Sequence, residues 1–144
     1  MWIRCAGAPG GKTVKQIFVY GTLMRGMEHG DLLARRRDAK YVGPAACRGT
    51  LWDLGENPGM TLEGKGNVSG ELFRSDVMEE ILRSLDAFES GAGFERHVIQ
   101  VRFRQSRTEA WAYIYGGPLQ GLTPILSGSW KDRVKRLAGR GKRF

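Results

Sequence analysis

Apolar and polar positions follow two periods along this chain, and the change of period predicts the elements. "QIFVY", from Gln16 to Tyr20, is a short apolar, aromatic and β-branched run that stops at Gly21, the pattern of a buried strand feeding a turn. From Val77 the spacing becomes helical: Val77, Ile81 and Leu85 share one stripe with Met78 and Leu82 beside it. Asp76, with Glu79 three places on, is the expected N-terminal cap, and "SGAG" predicts an end near Phe88. Strict alternation then returns in "ERHVIQVRFRQ", which sets Ile99, Val101 and Phe103 on one face and Gln100, Arg102 and Arg104 on the other. "EAWAYIYGG" alternates likewise and groups Trp111, Tyr113 and Tyr115.

Between these stretches the signals are shorter. "HGDLLARRRDA" has an acid early and arginines late, the charge order of a short helix. "KYVGPAACRGTLWDLGENPGMTL" is interrupted by Gly43, Pro44, Gly49 and Gly55 and reads as strands joined by loops, with "GKGNVSGELF" adding a turn and a strand. The sum is an α+β arrangement, a mixed and mostly antiparallel sheet or small barrel with two helices. No internal repeat is visible.

Composition narrows this picture. A chain of 144 residues, 41% hydrophobic, is the size of one domain with one core. No apolar run is long enough to span a bilayer and none resembles a secretory signal, so a cytoplasmic protein is expected. Two cysteines, Cys5 and Cys47, are too few for a disulfide framework or a zinc site. The net charge of +8 points to nucleic acid until the charges are located. Seven basic residues from Lys131 onward face only Asp132, three more fall in the first sixteen residues, and the body between is nearly neutral. The expected organisation is an N-terminal extension over 1–16, a domain over 17–130 and a solvated basic tail over 131–144, with no specific nucleic-acid partner and no membrane.

Two glycine-bearing turns compete for chemistry. "APGGKT", ending at Thr13, approaches a nucleoside triphosphate loop, with Ala6 in place of its first glycine. Its context contradicts that reading: no buried strand precedes it, and "VKQIFVY" after it is strand-like where a phosphate loop needs a helix. The second turn, "YGTL", ends a strand, where glycine lets successive N–H groups converge on a carboxylate. On its own this pattern equally describes an ordinary strand-to-loop turn with a buried tyrosine. His29 and His97 lack partner spacing and read as surface residues; no metal cluster and no Ser-His-Asp or Cys-His set can be assembled.

The blocks "FVYGTLMRG", "GTLWDLGENPGM", "VSGELF", "LRSLDAFE", "FERHVIQV" and "AWAYIYGG" occur in an order that resembles the gamma-glutamylcyclotransferase-like family, in particular its gamma-glutamylamine cyclotransferase-like branch. The resemblance covers about Ile17 to Trp130. It implies a small twisted mixed β-barrel with flanking helices, and a Tyr-Gly turn (Tyr20, Gly21, Thr22, Leu23) that holds the glutamyl group of a small-molecule substrate. It also implies a single acid/base, Glu89 of "LDAFE", in a cofactor-free enzyme that is a monomer or homodimer. The implied reaction is an acyltransferase- or lyase-type cyclisation giving 5-oxoproline and a free amine. Two positions depart from the pattern: Phe94 stands where relatives usually carry tyrosine, and Ser129 where an acidic residue is frequent.

At a helix C-terminus and beside Phe88, Glu89 is set for a raised pKa, as a proton shuttle requires. Asp86 and Glu71 compete with it, the first read as structural in the helix's last turn, the second as a strand residue at the pocket edge. Tyr113 and Tyr115 line the cavity or form a packed aromatic face; Gly55 lets a covering loop approach or simply makes a tight turn. Two alternatives to the enzyme stand beside it: a non-catalytic small-molecule-binding protein of the same fold, suggested by Phe94, and nucleic-acid association through the basic ends.

Overall fold

The computed structural model describes residues 13–89 and 93–141. The turn "APGGKT", save Thr13, and Cys5 lie outside the described residues. Eight strands and three helices follow in the order β1 (Gln16–Val19), α1 (Asp31–Ala34), β2 (Lys40–Arg48), β3 (Thr50–Asp53), β4 (Pro58–Thr61), β5 (Asn67–Arg74), α2 (Met78–Glu89), β6 (Phe94–Phe103), β7 (Ser106–Tyr115), β8 (Thr123–Pro124) and α3 (Trp130–Gly141). Five strands close into a mixed barrel, β1-β5-β2-β6-β7, and a three-stranded sheet β4-β3-β8 stands beside it. β1 makes the closure, antiparallel to β5 from Gln16↔Arg74 to Val19↔Glu71 and parallel to β7 at Ile17↔Trp111.

After Gln16 the run "IFVY" is apolar because both its faces are covered: Ile17, Phe18, Val19 and Tyr20 are all buried. In α2 the predicted stripe is the buried one, with Met78, Ile81, Leu82 and Leu85 inside, each contributing about 1.5–3 kcal/mol by leaving water. The cap differs from the prediction. Ser75, not Asp76, accepts the Val77 N–H through its side-chain oxygen at 3.0 Å, while Asp76 faces outward to Lys15. β6 alternates as predicted, with Ile99 and Val101 buried and Gln100 and Arg102 exposed.

Gly43 and Pro44 do not break β2, which runs through them with a bulge between Tyr41 and Gly43. β2 meets β6 in register only at Ala46↔Arg102, so its first half has a free side where a residue without an N–H costs no ladder bond. The basic tail is also corrected over the described residues. From Trp130 the chain forms α3, its first residue in the core. Ser129 caps it by accepting the Asp132 N–H at 3.1 Å, a role that an acidic residue at this position would also fill. Lys131 reaches Glu71 at 2.9 Å, Arg133 reaches Asp53 at 2.6 Å, and Arg136 pairs with Asp132 one turn back. Charge density alone could not distinguish these pairs from a solvated run. None of the helices, among the described residues, is long and apolar enough to cross a membrane.

β5 and β1 approach so closely at Gly70 that an added Cβ would collide with the Val19 carbonyl oxygen and stand 2.8 Å from the Phe18 ring. Gly70→Ala is expected to lower the unfolding free energy by about 1–3 kcal/mol, the usual cost of overpacking. Chemical denaturation against the parent protein measures it.

Candidate active site

Where β1 ends, the chain turns over Gly21, Thr22 and Leu23. The turn closes on itself through Met24 N–H to the Gly21 carbonyl (3.1 Å) and His29 N–H to the Thr22 carbonyl (2.8 Å). Glu71, opposite Val19 on β5, pins its far side by accepting the Arg25 N–H at 2.9 Å. Among the described residues, the N–H groups of Gly21, Thr22 and Leu23 donate to no protein acceptor. Three successive free amides at a strand end make an anion-receiving concavity.

Tyr20 holds this turn in place. Its buried hydroxyl donates to the Tyr113 carbonyl at 2.6 Å and accepts the Met60 N–H at 3.1 Å, joining the barrel to the second sheet. Burial pushes its ionisation far above the ordinary phenol range. The hydroxyl's one proton is committed to the Tyr113 carbonyl, so Tyr20 lines the cleft with no hydroxyl proton left to donate. The same join brings Pro58 onto Gly21, where an added Cβ would stand 2.7 Å from the proline ring. Glycine at this position is therefore a matter of close approach.

Glu89 closes the cleft from the last turn of α2, lining it together with the turn, Asn57, Pro58, Phe94 and Tyr113. Burial raises its pKa to about 7. One helical turn earlier, Asp86 is fastened: Arg96 donates through Nε to both carboxylate oxygens at 2.8 and 3.0 Å, and the Tyr113 hydroxyl donates to Oδ1 at 2.7 Å. These bonds lock the end of α2 to β6 and β7. His29 adds an edge-on contact to Phe88, ring centroids 4.7 Å apart.

The predicted residues thus separate. Tyr20, Gly21, Thr22, Leu23, Glu89 and Tyr113 share one cleft. Tyr115 stands behind it, its ring against Phe94 at 5.6 Å and its hydroxyl donating to the Pro118 carbonyl at 3.2 Å. Gly55 is not brought there: it makes a tight turn at φ +104°, donates to Asp53 at 2.8 Å and borders a different groove beside α3. The loop's contribution comes instead from Asn57 and Pro58, which the sequence pattern shows only as part of a stretch of strands joined by loops. Glu71 is not at the cleft edge either; it is buried and salt-bridged to Lys131. Both histidines are half-buried, His97 with an Nδ1 that has no hydrogen-bond partner among the described residues. Among the described residues no group of three or more His, Cys, Asp or Glu side chains could hold a metal ion.

The family model for gamma-glutamyl cyclotransferase, AIG2-like proteins matches residues 17–132. The chain is 35% identical over 120 residues to the gamma-glutamylcyclotransferase family protein YtfP of Citrobacter rodentium, covering 82% of this chain and 96% of that one. Its fold is similar to YkqA from Bacillus subtilis (TM-score 0.71, 25% identity), covering 91% of this chain and 44% of the other. It is also similar to the AIG2-like protein GGACT of Mus musculus (TM-score 0.60, 26% identity), covering 73% and 79%.

Two measurements check this geometry. Tyr20→Phe strands the buried Met60 N–H and Tyr113 carbonyl, so it is expected to cost about 1–3 kcal/mol of stability in chemical denaturation. Glu89 is harder to ionise in the fold than in the unfolded chain, so it lowers stability as pH rises from the ordinary carboxylate range through about 7. Glu89→Gln is therefore expected to stabilise the protein at pH 8 by about 1–2 kcal/mol, allowing for partial solvent screening, and to have no effect near pH 4. Denaturation curves at the two pH values give the comparison.

Proposed function

Given that the chain belongs to the gamma-glutamyl cyclotransferase, AIG2-like family, we propose that it cyclises the gamma-glutamyl group of a gamma-glutamyl amine or amide to 5-oxoproline and releases the amine. The observation that carries this reading is the pairing, in one cleft, of three free amides with one desolvated carboxylate. The amides of Gly21, Thr22 and Leu23 receive the substrate's α-carboxylate, an anion held without a cationic side chain. That anchors the glutamyl group at one end. Bending its chain then brings the α-nitrogen against the γ-carbonyl carbon, and holding that geometry contributes about 7–11 kcal/mol toward the barrier.

Two proton transfers accompany the bond changes, and Glu89 performs both. Its carboxylate takes a proton from the α-ammonium, the freed amine forms the new C–N bond, and the γ-carbonyl passes through a tetrahedral adduct. The protonated Glu89 then delivers that proton to the departing nitrogen as the old C–N bond breaks. The second proton of the new ring nitrogen passes to the released amine, which leaves as an ammonium beside the neutral lactam. A pKa near 7 suits both halves, since the group is neither too weak a base nor too weak an acid at neutral pH. Phe94 supplies an apolar wall that keeps the carboxylate desolvated. The space between the walls is about 30 Å³, room for one or two waters, so a substrate enters by parting them. The free, buried Cys47 fits a reducing cytoplasm.

Incubation with a panel of gamma-glutamyl amines, peptides and amino acids is expected to yield 5-oxoproline from at least one. Because Glu89 must begin as the carboxylate, kcat/KM should rise with pH through about 7 and level off above it. Glu89→Gln should reduce kcat by about 10²–10⁴-fold and remove that limb. Binding of panel members without product from any, at high protein concentration, would replace the enzyme with a binding protein.

A further inference from the structure

A second concavity lies on the outside of the barrel, along the seam where β2 and β6 diverge after their single register pair Ala46↔Arg102. It encloses about 480 Å³ and shares no lining residue with the cleft of Glu89. Arg48, Lys65, Arg102 and Arg107 line it, and among the described residues no carboxylate does. Arg102 and Arg107 are direct cross-strand partners in the β6–β7 hairpin. Arg48 lies two residues beyond Ala46 on β2, on the face that Ala46 shares with Arg102.

This arrangement favours a bound anion. Like charges directly opposite on neighbouring strands destabilise a sheet. No carboxylate pairs with them: among the described residues, none of the four cations has a carboxylate oxygen within 4.0 Å. Glu109, two places along β7 from Arg107, stands opposite Gln100. The body of the chain is nearly neutral, so a concave surface holding four unpaired cations is a local concentration of positive charge, not a reflection of overall basicity.

We propose that this groove binds a ligand carrying a pyrophosphate or longer phosphate chain. Three guanidiniums are carried by three neighbouring strands, Arg48 on β2, Arg102 on β6 and Arg107 on β7. That spread suits linked phosphates, each oxygen set meeting a planar donor fork, with Lys65 as a point charge at the rim. Nucleic acid fits less well. Among the described residues no aromatic side chain lines the groove to stack a base, and a polynucleotide track needs cations continued along its backbone. The phosphate chain can be inorganic or the tail of a nucleotide, and the groove's polar side chains Asn67, Gln100 and Gln105 are available to either.

Isothermal titration at low salt with pyrophosphate, tripolyphosphate and ATP tests the assignment. Saturable 1:1 binding is expected, weakening as salt rises, with orthophosphate weaker than either chain. ATP tighter than tripolyphosphate would identify a nucleotide source, and equal affinities a free polyphosphate; either supports the site. Arg102→Gln/Arg107→Gln should weaken tripolyphosphate by at least about tenfold without lowering the melting temperature, because it relieves a repulsion. Arg48→Gln/Lys65→Gln serves as the second variant if the first does not fold, with amide shift changes on β2, β6 and β7 locating the ligand in the parent protein. Absence of saturable tripolyphosphate binding, undiminished affinity in both variants, or preferential displacement by an oligonucleotide of matched phosphate concentration would overturn the proposal.

Discussion

One buried hydroxyl holds the cleft together. The Tyr20 oxygen sits between the Tyr113 carbonyl on β7 and the Met60 N–H on β4, and so joins two sheets that share no strand. Three walls of the cleft depend on that join: the turn that Tyr20 begins, the Pro58 that rests on Gly21, and the β7 residue that also reaches α2. A tyrosine that looks like a ligand contact in a Tyr-Gly motif is here the post around which the motif is built. What the motif leaves unpaired at the cleft is its backbone N–H groups.

A second constraint decides which carboxylate is left free. Asp86 and Glu71 are each held by cations: Arg96 for Asp86, Lys131 and Arg25 for Glu71. Glu89 has burial without a cationic partner among the described residues, so its charged form alone is penalised. Environments that treat neighbouring carboxylates differently are how one small site keeps a proton acceptor poised near neutral pH. The neutralised pair also does mechanical work. Asp86 fixes the last turn of α2 that carries Glu89, and Glu71 fixes the turn that carries the amides, so the two halves of the cleft are braced from opposite sides.

Much of this was legible in the sequence where a single element determines the pattern. The runs of β1 and β6 and the stripe of α2 are periodic, and their buried faces fall where the period puts them. What escaped depended on partners distant in the chain. Pro44 is harmless only because β6 leaves that side of β2 free. Asn57 and Pro58 reach the cleft only because the second sheet folds back over Gly21. Lys131 and Arg133 read as solvated charges until Glu71 and Asp53, 60 and 80 residues earlier, are seen to face them. The signal for α3 was present locally, in Trp130, Val134 and Leu137 at helical spacing and in Ser129 as a cap, and the surrounding charge masked it.

The same barrel presents two opposite electrostatic solutions. At the end of β1 a negative group is kept from water and from cations, which stores free energy in its charged form. Along the β2–β6 seam positive groups are kept from carboxylates but left in water, where solvent screens most of their repulsion. The first state is stable only because α2 is bolted down by Asp86; the second needs no brace, since exposed guanidiniums can turn aside. A desolvated carboxylate gains from a ligand that exchanges a proton with it, whereas unpaired arginines gain from any anion that binds two of them at once. Because the sites share no lining residue among the described residues, each can be altered by substitution while the other serves as its control.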